Sequence, residues 1–242
     1  MGKQYWRGGN MLYPVPAVMV SCGRPEERPN IITVAWAGTV CSSPAMVSIS
    51  VRKERYSYDI LKETGEFVIN LITRDLTYAT DFCGVRSGRD VDKFAQMHLT
   101  PLPSQHISAP GIAESPVNLE CKVTQVIPLG SHDMFLAEVL GVTVDEKYMD
   151  ENGKFHLNDA GLVAYSHGEY FELGEKLGKF GYSVAKKQVA KTESVTKSAK
   201  PSGAGKKAAS AENRTASKTE AGNRRKSASK TGSADKQKSR RK

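Results

Sequence analysis

Residues 30–57 read NIITVAWAGTVCSSPAMVSISVRKERYS, and the fold turns on how this stretch is parsed. Ile31 to Gly38 has the apolar, β-branched content of a strand and carries Thr33 and Trp36, while Ser42, Ser43 and Pro44 mark a short turn. Met46 to Val51 follows as a second strand, in which Val47, Ile49 and Val51 alternate with Ser48 and Ser50. That period of two belongs to a strand with two unlike faces. Arg52 and Arg55 close the stretch. Two apolar strands that bring small hydroxyls and paired guanidiniums to one end suit a flat aromatic ligand with a phosphate tail.

Working outward, Tyr56 to Glu63 has helical composition with a stripe of Tyr56, Ile60 and Leu61, and Gly65 ends it. Glu66 to Ile72, EFVINLI, reads as a buried strand. Upstream, MLYPVPAVMVSCG is a strand entered through two prolines, and Arg24 to Pro29 is a polar turn. Downstream, Leu76 to Cys83 is a short helix, GVRSGRDVDKF a Gly-rich loop leading to Phe94, and Pro101, Pro103 and Pro110 an extended crossing. Three more strands are expected at Asn118 to Ile127, Met134 to Asp145 and Leu162 to Glu172, with His132 in the hairpin loop GSHD. Many strands and few helices favour a closed or partly closed barrel over a doubly wound sheet.

The net charge of +9 conceals two different regions. Between residues 186 and 242, 18 Lys and Arg oppose 4 Asp and Glu, a net of +14; residues 1–185 hold 17 basic and 22 acidic side chains, a net of −5. The expected organisation is therefore one domain over 1–185 and a basic tail over 186–242. The tail is rich in Lys, Ser, Ala, Thr and Gly, and without large apolar residues it is expected to stay disordered. It has no aromatic residue to stack on bases, so the expectation is weak, non-specific contact with nucleic acid or an acidic membrane, or a solubilising role alone.

Cys22, Cys41, Cys83 and Cys121 stand far apart with no C-x-x-C pair. They read as free thiols of a reducing compartment. The N-terminus has no apolar leader-like run and no segment reaches membrane-span length, so a soluble cytoplasmic protein is expected. His98, His106, His156 and His167 lack metal-ligand spacing, and no G-x-G-x-x-G lies at a strand-to-helix turn, so neither a metal site nor a Rossmann nucleotide site is expected.

The blocks NIITVAWAGTVCSSPAMVSISVRKERYS, GEFVINL, CGVRSGRDVDKF, GSHDMFLAEV and LVAYSHGEYFELG, in this order and spacing, resemble the flavin reductase-like family of FMN-binding split barrels, in particular its flavoredoxin branch, over about residues 11–183. The resemblance implies a mainly β FMN-binding split barrel with a few peripheral helices, a homodimer with each flavin near the subunit interface, and FMN as cofactor. It implies ring contact at Asn30 and Trp36, main-chain hydrogen bonds near Thr33 and Ala35, and a place near the phosphate for Ser57 at a helix start, where unpaired N–H groups favour anions. Ser50, Arg52, Ser87, Lys93, His132 and Tyr165 complete the implied cofactor site, with His132 as the catalytic candidate. The chain departs from the family pattern in Ser57 for Thr and Tyr165 for Phe.

Each of these residues also has a plain structural reading. Trp36 would serve a core, Arg52 and Arg55 would be solvated or paired with Glu54, Lys93 would pair with Asp90 or Asp92, and His132 would close its turn. The expected activity is a flavin reductase passing electrons from NADH or NADPH through FMN to free flavin, a monooxygenase partner or a redox protein. Two alternatives stand beside it: a flavoredoxin-type electron carrier that does not oxidise NAD(P)H, and a non-enzymatic polyanion-binding protein acting through its tail.

Overall fold

The computed structural model of the chain describes residues 1–185. The elements in order are β1 (Val15–Pro16), β2 (Val18–Cys22), β3 (Asn30–Val34), β4 (Ala37–Ser42), β5 (Ala45–Arg52), α1 (Tyr56–Thr64), β6 (Glu66–Leu71), α2 (Thr77–Val85), α3 (Lys93–Gln96), β7 (Pro101–Leu102), β8 (Gly111–Ile112), β9 (Val117–Pro128), β10 (His132–Val144), β11 (Val163–Ser166) and β12 (Glu169–Glu172). Seven of the strands form one antiparallel sheet in the order β3-β2-β6-β9-β10-β5-β4. A second, three-stranded sheet runs β1-β11-β12.

The alternation along β5 sets the architecture. Val47, Ile49 and Val51 are buried while Ser48 and Ser50 face the other side. Ile32 and Val34 from β3, at one edge of the sheet, share a single apolar core with these three residues near the opposite edge. The sheet therefore curls on itself, and Phe67 and Phe135, both fully buried, fill its interior. This is the mainly β split barrel expected. A second core of Ala17, Met19, Ile31, Leu76, Cys83 and Phe94 lies on the other face of β2 and β3, beneath α2 and α3. Strand β2 is thus buried on both faces, which explains its continuous apolar run.

Three expected strands are each a pair. MLYPVPAVMVSCG divides into β1, in the three-stranded sheet, and β2, in the seven-stranded one. Ile31 to Gly38 is broken at Ala35 and Trp36, where the chain leaves its pairing with β2 and crosses to pair with β5 as β4. The Trp36 carbonyl accepts the Ser50 N–H at 2.8 Å and fixes this corner. Leu162 to Glu172 is a hairpin, β11–β12, turning through His167 and Gly168 at φ 50° and 94°. Positive φ at both central residues matches the twist of the flanking strands. His132 opens β10 rather than lying in the loop before it.

Helix α1 ends where Gly65 adopts φ 64° and its N–H reaches the Leu61 carbonyl at 3.0 Å. Its N-terminal end is tied to β10 because the Tyr58 hydroxyl donates to Asp133 Oδ2 at 2.5 Å. The other oxygen of that buried carboxylate stands 3.4 Å from the Lys53 ammonium. It is the one buried side-chain polar atom without a hydrogen-bond partner among the described residues.

Cys22, Cys83 and Cys121 are buried free thiols and Cys41 is partly exposed. No helix among the described residues is long and apolar enough to cross a membrane. The expectations for residues 186–242, disorder and polyanion contact, lie outside the described residues.

Asn70 holds the strands beside the second core. Its fully buried amide donates to the Met19 carbonyl and Ser21 hydroxyl, and accepts from the Ile112 N–H and the Asn118 amide at 2.9 and 2.7 Å. Asn70→Ala strands two buried donors at once, and urea denaturation should show a loss of about 3 kcal/mol.

Candidate functional site

Three cavities adjoin one another through shared lining residues. The first, of about 350 Å³, is lined by Asn30, Arg52, Arg55, Ser57, Arg86, Arg89 and Lys93, with Glu54 as its one carboxylate. The second, about 150 Å³, shares Ile32, Arg52 and Arg55 with the first and adds Thr33, Ala35, Trp36, Ser50 and His132. The third, about 410 Å³, shares Trp36, Ser50 and His132 with the second and adds apolar walls from Met11, Leu12, Val15 and Leu129. The sequence is cationic chamber, narrow neck, apolar chamber.

The fold explains why these side chains meet. Strand β3 supplies Asn30, Ile32 and Thr33, and the bend beyond it supplies Ala35 and Trp36. Strand β5 supplies Ser50 and Arg52, and His132 faces Arg52 across the β5–β10 ladder. Arg55 stands at the cap of α1, which has no side-chain hydrogen bond to its first turn, so the N–H groups of Tyr56 and Ser57 remain available to a ligand. The nine-residue helix directs its positive end at the cationic chamber.

Lys93 forms the chamber floor. Its side chain is buried, and Nζ donates to the Ile31 carbonyl at 2.6 Å and the Cys83 carbonyl at 2.7 Å. Among the described residues no carboxylate pairs with it. Asp92 caps α3 by accepting the Ala95 N–H, so pairing of Lys93 with Asp90 or Asp92 does not occur. Burial pushes the ammonium down to about 8. An ammonium has three donors, and two carbonyls use two of them. Beside it the Asn30 amide donates to the buried Ser57 hydroxyl at 2.7 Å.

The roof is the loop between α2 and α3. Arg89 lies over the Tyr56 ring at 5.4 Å and donates to the Glu54 carbonyl, while Arg28 donates to the Gly88 carbonyl at 3.0 Å. Arg52 pairs with Glu54 at 3.2 Å, as its plain reading anticipates, yet both groups still line the chamber.

At the neck, Trp36 is half-buried, with the Tyr13 ring tilted against it at 6.3 Å. The His132 ring lies 2.9 Å from the Ser131 hydroxyl through Nδ1. Burial, followed by the guanidinium of Arg52, holds His132 below the usual histidine range. The imidazole is therefore neutral at pH 7, so that one ring nitrogen donates and the other accepts, with Nδ1 the one that meets Ser131. The Thr33 hydroxyl is spent on the Thr80 carbonyl.

Of the expected site residues, Asn30, Arg52, Ser57, Ser87 and Lys93 meet in the cationic chamber, and Thr33, Ala35, Trp36, Ser50 and His132 meet at the neck. Tyr165 lines none of the three cavities. It sits behind Tyr13 at 6.2 Å and packs on Tyr170 at 5.6 Å. Arg86, Arg89, Tyr56, Met11 and Leu12 were not anticipated. The two arginines flank Ser87 and Gly88 in GVRSGR, and their spacing around a tight loop was the available signal.

A family model described as "Flavin reductase like domain" matches residues 10–174. The flavoredoxin of Desulfovibrio vulgaris (Miyazaki F) is 33% identical, superposes with a TM-score of 0.70, and the match covers 76% of this chain and 100% of that one. Nitrilotriacetate monooxygenase component B from Bacillus cereus shares the fold at 23% identity and a TM-score of 0.63, over 69% of this chain and 88% of that one. An uncharacterized protein of Archaeoglobus fulgidus is 31% identical over 160 residues, 66% of this chain and 88% of its own length.

A Cβ at Gly88 would lie 2.1 Å from Asn30 Oδ1 and 2.7 Å from the Tyr56 ring. Gly88→Ala should therefore push Asn30 away from Ser57. Such overpacking costs about 1–3 kcal/mol, read as a lowered urea midpoint, and the Asn30 side-chain amide resonances should move with it.

Proposed function

The chain belongs to the flavin reductase-like family, and from that premise we propose that it is an FMN-dependent oxidoreductase, its phosphate site the cationic chamber and its ring site the neck beside Trp36. The observation that carries this reading is the buried Lys93 ammonium, which has two carbonyl partners, one donor left over and no carboxylate. A buried cation is costly unless it is paired, and a phosphate monoester dianion supplies the missing charge. Ser57, the open N-terminus of α1 and the guanidiniums of Arg52, Arg55, Arg86 and Arg89 surround the same volume.

FMN, when bound, supplies two-electron chemistry and accepts or delivers a hydride. The protein's own residues do the rest. Lys93 and Arg55 hold the phosphate, Trp36 and the main chain around Ala35 bound the ring, and the neutral imidazole of His132 orients a reactant or delivers a proton at the neck. NADH or NADPH is the proposed electron donor, with free flavin, a monooxygenase partner or a redox protein as acceptor. The working form is proposed to be a cytoplasmic homodimer, whose association would cover exposed Val40 on β4 and Leu140 and Val142 on β10.

The similarity to a flavoredoxin favours a second reading, that of an electron carrier reduced by another protein. Anaerobic addition of NADH or NADPH to the FMN-loaded protein separates the two. Loss of the yellow absorbance supports the reductase. Persistence of the colour, with bleaching by a reduced ferredoxin-type protein, supports the carrier. A protein that fails to bind FMN removes both.

Lys93 gives the FMN reading a pH signature. A depressed ammonium loses its proton as pH rises through about 8, whereas a phosphate monoester with its second pKa near 6 is already dianionic there. FMN affinity should hold between pH 7 and 7.5 and fall by about tenfold or more towards pH 9.5, the loss of one charge-assisted hydrogen bond. In Lys93→Met it should be weaker throughout and flat across that window, as measured by quenching of flavin fluorescence.

A further inference from the structure

We propose that Asp133, outside every cavity described above, is the positioning residue of the cationic chamber: it fastens the segment that forms one wall and, through Tyr58, sets where the start of α1 stands. The role requires only that the chamber takes an anion; its extension to FMN rests on the flavin reading above.

The carboxylate grips both ends of one short stretch. Its Oδ2 accepts the Tyr58 hydroxyl at 2.5 Å, and its Oδ1 stands 3.4 Å from the Lys53 ammonium. Between those two contacts lie Glu54, Arg55, Tyr56 and Ser57, consecutive residues that all line the chamber. On the chamber side, the Asn30 amide donates to Ser57, and Arg89 reaches the Glu54 carbonyl and covers the Tyr56 ring. Asp133 holds the same stretch to strand β10.

A helix start is ordinarily fixed by a side chain that accepts its first free N–H groups. Helix α1 has no such cap. A cap would fill the same N–H groups that an anion needs, so a start that is both fixed and open has to be fastened elsewhere. Tyr58, the third residue of the helix, does this with its ring edge-on to Phe135 at 5.8 Å and its hydroxyl on Asp133. Both partners are buried, so removing the carboxylate leaves the hydroxyl unpaired rather than solvated.

The sign of the effect separates positioning from charge. A carboxylate near an anion site repels the anion, so its removal would by charge alone tighten binding. Loss of the anchor does the reverse, because the donors no longer converge on one point.

The test uses the full chain with FMN and inorganic phosphate as probes, and riboflavin as the control that lacks the phosphate. Flavin binding is followed by fluorescence quenching, and phosphate binding by the Tyr56 and Ser57 main-chain 1H–15N resonances. Tyr58→Phe and Asp133→Leu should each weaken FMN and inorganic phosphate about tenfold, the size of one charge-assisted hydrogen bond, and leave riboflavin unchanged. The double variant should lose no more than either single one, since both break the same bond. Asp133→Asn, which removes the charge but keeps an acceptor for Tyr58, should bind both probes at least as well as the unaltered chain.

Unaltered binding in Tyr58→Phe, tighter binding in Asp133→Leu, an equal loss for riboflavin, or an Asp133→Asn as weak as Asp133→Leu would overturn the proposal. Should Asp133→Leu fail to fold, Tyr58→Phe and Asp133→Asn decide it between them. A chain that binds inorganic phosphate with this pattern yet never takes up FMN would support the positioning role while removing the flavin reading. One that binds neither removes both.

Discussion

One buried positive charge constrains the whole site. The Lys93 ammonium lies under the second core and meets only the carbonyls of Ile31 and Cys83. Carbonyl dipoles soften the desolvation of a cation without cancelling it, and its lowered pKa expresses the remainder. The same burial makes the group valuable to an anion, because a charge in a low-dielectric floor acts more strongly than one in water. The surrounding guanidiniums are exposed, stacked or paired, and work as a rim; Lys93 is the fixed point around which they stand.

Barrel geometry turns that fixed point into a directional site. The chain cannot continue as one strand past Val34, because the sheet edge paired with β2 and the edge paired with β5 are different edges. The bend at Ala35 and Trp36 joins them, and an aromatic ring is left at the neck between a cationic and an apolar cavity. Across the ladder, β10 places His132 opposite Arg52 on the site face, while its neighbour Asp133 points inward and anchors α1 through Tyr58. Strand alternation thus sends one of two consecutive residues to the cavity and the other to the scaffold.

Much of this was legible in the sequence. The alternation of Val47, Ile49 and Val51 and the helix stopped by Gly65 carry their signals locally and appear as read, whereas the single strand expected upstream divides into β1 and β2. The break inside Ile31 to Gly38 was not legible, since neither glycine nor proline interrupts the run before Gly38, and the switch of partner strand is set by barrel closure. The turn at His167 and Gly168 was present in the letters but masked by apolar residues on both sides. Within the site, the residues from β3, β5 and β10 converge. Tyr165, assigned on resemblance alone, packs behind Tyr13. Arg86 and Arg89 were hidden because their loop was read for its glycines, and the Met11–Leu12 wall comes from a segment with no periodicity of its own.

The central claim is that Lys93 and the start of α1 receive the phosphate of FMN while the ring lies at the neck. A crystal structure of the FMN complex tests it most directly. The account predicts a phosphate oxygen within hydrogen-bonding distance of Lys93 Nζ and of the Ser57 main-chain N–H, with the ring edge beside Ala35 and Trp36. A phosphate left in solvent with Lys93 still bonded only to its two carbonyls, or a ring lying in the cationic chamber, would contradict it.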